Sequence, residues 1–348
     1  AEWGRATPEE VVLHRLAGGT GAGLVSESIE VARSLLQRHA PASALALLES
    51  CAQVADAAAL KEVATLAMAA ARAAGSELEA RGHVLRAREA NPNDPELARL
   101  EAVIALSEGD LPRAERALEQ AEANLAPGDD EERAAVLLSR AELRYQQGRF
   151  EEAERFAMDA LARTAEPRRV AEARNVVTKV LLVRRDFDRG QAWTEESLVL
   201  ARARRSQDEL LRGLINLGVV AIWRDDLEEA QRRFAEARAV AVRGGSMMLQ
   251  GVLRENEAVV AHLQGRYGDA LRSYQEALEI LTRVGNRRFV ARVANNLGEL
   301  YAQVGASDRA RRLCEHAARV ARGLTGSLAA ESRMLRALVE LAEGRSDA

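Results

Sequence analysis

The segment Gly18-Gly-Thr-Gly-Ala-Gly23 is the first stretch whose residue types could do chemistry, because a glycine-rich loop before a helix can hold phosphate on its N–H groups. Here the loop follows a helix rather than a strand, and no Lys-Ser or Lys-Thr closes it. It reads instead as a joint. The histidines, His14, His39, His83, His262 and His316, never recur at i,i+3 or i,i+4, so no helix face offers a metal two imidazoles. Cys51 and Cys314 lie far apart without a second Cys or a His at ligand spacing, and read as buried small hydrophobes in a reducing compartment. No Ser or Cys stands in a strained elbow sequence. The pairs Glu151-Glu152 and Glu228-Glu229 fall just inside proposed helix starts, where the helix dipole accounts for them. The chain is therefore expected to be no enzyme, with no cofactor and no metal.

One pattern goes beyond structure. Asn216-Leu-Gly218, Asn256-Glu-Ala258 and Asn296-Leu-Gly298 place an Asn two residues before a small residue at a spacing of 40 and 40. Asn is a poor helix former, so three of them at mid-helix positions carry a propensity cost. A carboxamide can donate to one peptide carbonyl and accept from one N–H. A row of them could read an extended backbone; alternatively they bond neighbouring helix backbones or hydrate a surface.

The elements that must position them are repeats. A short phrase of turn, apolar residue and small helix-opening residue recurs as Gly109-Asp-Leu-Pro-Arg-Ala114, Gly148-Arg-Phe-Glu-Glu-Ala153 and Arg185-Asp-Phe-Asp-Arg-Gly190. It returns as Asp225-Asp-Leu-Glu-Glu-Ala230, Gly265-Arg-Tyr-Gly-Asp-Ala270 and Gly305-Ala-Ser-Asp-Arg-Ala310, with degenerate copies around Ala44 and Ala80. Amphipathic segments of helical period flank each turn. The prolines, at 8, 41, 92, 95, 112, 127 and 167, fall at helix starts or linkers. Asn91-Pro-Asn-Asp-Pro95 is a linker with Asx-turn chemistry, and Thr7-Pro8-Glu9-Glu10 opens a short helix with a capping box. The spacing predicts an N-terminal helix and glycine-rich joint over 1–23, eight helix pairs over 24–344 with a terminal helix from Leu328 to Leu341, and a tail over 345–348. No strand is expected.

Leu214, Leu217-Gly218, Leu227, Ala230, Phe234 and Ala237 in one unit, and Tyr267, Ala270, Tyr274 and Ala277 in another, resemble the tetratricopeptide repeat. Arg140 and Glu257 depart from it, standing where Leu is expected. Units near 40 residues exceed the usual ~34 and look like those of kinesin light chains, Pins-class adaptors and the arrays of maltose-type bacterial activators. The resemblance implies an all-α, right-handed superhelix whose first helices line a concave groove that binds protein or peptide. On that register Asn216, Asn256 and Asn296 face the groove beside Arg212, Val219, Trp223, Glu255, Val259, Leu263, Arg292, Asn295, Glu299 and Gln303. The mixture suits an extended or amphipathic segment. It lacks the Lys-rich set that clamps a terminal carboxylate.

The 49 basic and 53 acidic residues give a net charge of -4 without a basic block, so nucleic acid is not an expected partner. Arg204-Arg205 and Arg311-Arg312 read as solvated helix faces. No run has the eighteen or so apolar residues a membrane span needs. The chain opens Ala-Glu-Trp-Gly and is expected to be a piece of a longer, bacterial, cytoplasmic signalling or regulatory protein, monomeric or weakly oligomeric. Two other readings stay open: a sensor arm that takes a small ligand or signalling peptide to switch an attached effector, and a scaffold that stacks end to end.

Overall fold

Aromatic residues make up only 3% of the chain, and none occurs between Trp3 and Tyr145. Helices built from Ala, Leu and Val can approach closely, and in the computed structural model they do. It describes residues 23–38, 40–74, 77–243 and 246–321, with single positions at 12, 15, 333–335 and 337. The Thr7–Glu10 cap, nearly all of the glycine-rich joint, most of the 328–341 helix and the 345–348 tail lie outside the described residues, as do His14 and His39. Among the described residues there are sixteen α-helices and no strand.

The chain divides into two compact units, Ala1–Ser107 with Pro112–Glu132, and Glu108–Leu111 with Arg133–Ala348. The first holds α1 (Gly23–Gln37), α2 (Pro41–Ala52), α3 (Ala57–Ala74), α4 (Arg81–Ala90), α5 (Pro95–Glu108) and α6 (Leu111–Ala123) almost entirely. The second holds α7 (Asp130–Gln146) from Arg133 on, α8 (Phe150–Leu161), α9 (Pro167–Val183), α10 (Phe187–Arg204) and α11 (Gln207–Trp223). It continues with α12 (Leu227–Arg243), α13 (Met247–Leu263), α14 (Tyr267–Val284), α15 (Arg287–Gln303) and α16 (Ser307–Val320). Odd-numbered helices are the first of each pair and even-numbered ones the second. The eight pairs are those the turn phrases predict.

From α5 onward the turns within the helix pairs share one closure. Gly109, Gly148, Arg185, Asp225, Gly265 and Gly305 all have positive φ. After the last five of them the next N–H reaches back five residues, as in Asp226 N to Ala221 O at 2.9 Å and Ala306 N to Tyr301 O at 2.8 Å. This is a Schellman closure, which satisfies carbonyls left open at the helix end and turns the chain back on itself. The small residues that follow, Ala44, Ala80, Ala114, Ala153, Gly190, Ala230, Ala270 and Ala310, are all buried where the second helix crosses the first. Pro41, Pro95 and Pro167 open helices and Pro112 sits in a first turn, where a missing N–H costs nothing.

Second helices fill the core with one large side chain per unit where the sequence has one. Phe234 and Tyr274 are buried, and Cys314 occupies the same position in the last pair. Cys51 is equally buried, and burial raises its thiol pKa. Arg204 is not the solvated side chain expected. It donates to Pro167 O at 2.5 Å and pairs with Glu209, tying α10 to the starts of α9 and α11. Its neighbour Arg205 takes the left-handed conformation that ends α10.

Candidate functional site

Successive first helices touch one another, α9 with α11, α11 with α13 and α13 with α15, while second helices make no comparable contact with each other. Packing along the second unit therefore runs through its first helices, and the side they turn away from the second helices is taken as the inner face. Which residues reach it follows from about 100° of rotation per residue. Gly251 of α13 would meet Leu281 and Ile280 of α14 if it carried a Cβ, and Glu257 pairs with Arg238 of α12, so that half of α13 faces second helices. The opposite half carries Val252, Asn256, Val259 and Leu263. The same register gives Arg212, Asn216, Val219 and Trp223 on α11, and Arg292, Asn296, Glu299 and Gln303 on α15.

On this face Trp223 and Leu263 are 53% and 58% exposed. Glu299 and Gln303 are exposed, and Arg212, Val219, Val259, Arg292 and the three Asn are half-buried. Asn295 is the exception. At 7% exposure it lies in the seam between helices, because one residue step from Asn296 rotates it about 100° off the face. Glu255, expected beside the Asn row, is buried at 2% for the same reason and faces α15.

The three Asn are not equivalent. Asn256 Nδ2 donates to Val252 O of its own helix at 2.8 Å, the local back-bonding that makes Asn tolerable in a helix. Asn296 Nδ2 donates to Glu255 Oε1 at 3.3 Å across the seam. Asn216 makes no side-chain hydrogen bond to any described residue, so its amide is wholly available. The other two keep their carboxamide oxygens as acceptors.

Arg292 Nε donates to Glu255 Oε1 at 2.6 Å and its Nη2 to Oε2, a two-pronged pairing that suits guanidinium and carboxylate. Its guanidinium also lies over the Phe289 ring at 4.6 Å. Tyr274, behind this pair, is pushed up by burial and by the charges of Glu255 and Glu299. His262 Nε2 and Gln303 Oε1 are 2.7 Å apart and join α13 to α15. Trp223 stacks on Phe187, with centroids 6.4 Å apart, and takes the Arg185 guanidinium on its ring at 5.0 Å.

Two residues of this face were missed in the sequence. Glu142 and Lys179 stand six residues before Gly148 and Arg185, as Val219, Val259 and Glu299 stand before their own turns. That offset was the signal that could have found them. Lys179 pairs with Glu142 and lies over the Tyr145 ring at 4.6 Å. Burial pushes the Glu142 carboxyl up, but the charge and hydrogen bond of Lys179 outweigh it and hold the carboxyl below its ordinary value. The face thus runs from a charge pair through an apolar stretch to Arg292, which is held from behind by the buried Glu255.

Among the described residues no group of three His, Cys, Asp or Glu is placed to hold a metal ion, and no helix is long and apolar enough to cross a membrane.

Residues 209–283 and 249–323 match the tetratricopeptide repeat family model. No curated protein matches the chain. Among solved structures it is similar to a signal transduction ATPase with numerous domains (STAND) protein with a tetratricopeptide repeat sensor from Pyrococcus horikoshii. The identity is 15% and the TM-score 0.59, over 93% of this chain and 50% of that one. It is similar to the APC/C hetero-tetramer Cut9–Hcn1 at 14% identity and TM-score 0.59, over 98% of this chain and 61% of that one. It is also similar to a Rap protein complexed with competence and sporulation factor, at 12% identity and TM-score 0.60, over 93% and 99%. The chain thus spans half of the first relative's length and under two thirds of the second's. At these identities the likeness is one of fold.

Proposed function

We propose that the chain binds an extended or amphipathic segment of a partner protein along the inner face of its first helices, because residues 209–323 match the tetratricopeptide repeat model and the other helix pairs share its fold, one that serves protein interaction. The observation that carries this reading is the pair of exposed apolar side chains, Trp223 and Leu263, at one register position of adjacent first helices. Asn216 stands one to two turns away with its amide unspent. Apolar anchors would take alternate side chains of the partner, and the carboxamides would bond its backbone whatever its sequence. The chain acts as the arm of a larger signalling or regulatory protein in the cytoplasm. The STAND protein, twice as long with a repeat sensor, and the Rap protein, solved with competence and sporulation factor, support that reading by analogy of fold alone. If the bound segment is a signalling peptide, the arm is the sensor.

The test is affinity for a partner captured by the wild-type chain. Replacing Asn216, Asn256 and Asn296 together with Ala should leave helicity intact. Each lost backbone bond contributes roughly 0.5–1.5 kcal/mol, so binding should weaken by about one to three decades. Asn216→Ala should account for most of it, because the other two amides are already engaged. Arg232→Ala on α12, exposed and away from the face, is the control. A folded triple variant that binds like wild type would remove the inner face from consideration.

A further inference from the structure

The packing between α12 and α13 departs from that of the seams before and after it. Leu198 of α10 meets Leu214 and Leu217 of α11, all buried. Forty residues later the same three positions are Arg238 of α12 and Arg254 and Glu257 of α13. A further forty residues on, they return to Leu278, Ala294 and Leu297. One seam of the array has exchanged an apolar contact for an Arg–Glu–Arg triad.

The triad is ordered. Arg238 Nε and Nη2 both donate to Glu257 Oε1, at 2.9 and 2.7 Å. Arg254 Nη1 donates to Glu257 Oε2 at 2.9 Å, and its Nε lies 3.2 Å from Glu276 Oε2 on α14. Beside it, Arg266 and Arg272 share Asp269. Together with Ser273 and Ala261 they line a polar cleft of about 250 Å³. The α13 residues involved, Arg254, Glu257 and Ala261, lie on the half of that helix opposite Asn256, Val259 and Leu263. The cleft therefore opens on the outer side and is independent of the inner face.

Four guanidiniums stand against three carboxylates. Among the described residues, Arg238 Nη1, Arg254 Nη2, and Nε and Nη1 of Arg272 have no partner. Glu257, whose side chain is only 10% exposed, fixes two guanidinium planes without using all their donors. Fixed guanidinium edges with excess positive charge suit tetrahedral oxyanions, which accept several charge-assisted bonds at once. We propose that this cleft binds a phosphate monoester or phosphate dianion, with Arg238, Arg254 and Arg272 as donors.

The test is thermal unfolding of the whole chain in inorganic phosphate against chloride at equal ionic strength. Phosphate should raise Tm saturably. Arg272→Gln, at an exposed site, should weaken the response at least tenfold without loss of fold. The variant Arg238→Leu, Arg254→Leu, Glu257→Leu restores the seam found between α10 and α11; it should fold, melt higher and show no phosphate-specific rise. A short phosphoserine peptide and its unphosphorylated form distinguish the sources. A response to inorganic phosphate alone supports a free anion, and a tighter response to the phosphopeptide supports a phosphorylated side chain. Phosphate acting no differently from chloride overturns the proposal, as does a leucine triple variant that keeps the response.

Discussion

Gly218 and Gly298 hold one register position two units apart, and replacing each with Ala should move stability in opposite directions. A Cβ on Gly218 would lie 2.2 Å from Phe234 Cε1, 2.6 Å from Cζ and 2.8 Å from Cδ1. Ordinary carbon contact is about 3.5–4.0 Å, and the ring is buried at 2%. Overpacking of this kind costs about 1–3 kcal/mol, against about 1 kcal/mol regained in helix propensity. Gly218→Ala should therefore destabilise by up to about 2 kcal/mol, the difference between those ranges. At Gly298 the residue across the seam is Cys314 rather than an aromatic, and the nearest atoms to a new Cβ are Leu335 Cδ2 at 3.4 Å and Cys314 Sγ at 3.5 Å. Gly298→Ala should be neutral or stabilise by up to about 1 kcal/mol, the propensity term alone. Urea unfolding followed by circular dichroism gives both values. Hydrogen exchange over 207–243 would confirm that the loss in Gly218→Ala is local, as expected where each unit packs only on its neighbours. Phe234→Cys, which copies the last unit, should remove the penalty of Gly218→Ala in a double-mutant cycle. Equal effects at the two glycines, or no coupling to Phe234, would refute the argument.

Arg292→Ala should destabilise by about 1–3 kcal/mol, the cost of leaving a buried acceptor unsatisfied; Glu255→Gln with Arg292→Ala should recover part of it. Denaturant midpoints decide, and an unchanged midpoint for Arg292→Ala would mean that the pair contributes nothing. His83 is buried and its pKa lies below the ordinary 6.5, first through burial and also through Arg86, with Glu49 only partly opposing. The unfolded chain then binds this proton more readily than the folded one, so stability is full above about pH 6.5 and falls as pH drops toward the lowered folded value. Melting curves from pH 7.5 to 5.5 should be steeper for wild type than for His83→Gln, and equal slopes would show that His83 does not contribute.

The fold was legible because its signals are local and repeated. Gly148, Gly265 and Gly305 mark turns that need a left-handed residue, and Ala153, Ala230 and Ala270 mark crossings that admit only a small one. Even Arg185 and Asp225, which carry a Cβ, were found by their spacing and adopt the left-handed turn. The site was legible only as far as helical period assigns a face. Period assigns Asn256 to the face of α13 that carries Val252 and Leu263 but could not tell that its amide turns back to Val252, because that depends on a side-chain rotamer. Nor could it tell that Glu255 and Arg292, 37 residues apart, would meet across a seam. Nor does period show that Gly298 faces Cys314, a residue whose size breaks the repeat, where Gly218 faces Phe234.

Photo-crosslinking reads the binding face most directly. With benzoylphenylalanine in place of Trp223 or Leu263 on the inner face, or of Arg232 or Arg283 on second helices, illumination in the presence of a captured partner should give adducts from 223 and 263. Adducts from 232 or 283, with none from 223 and 263, would contradict binding along the first helices.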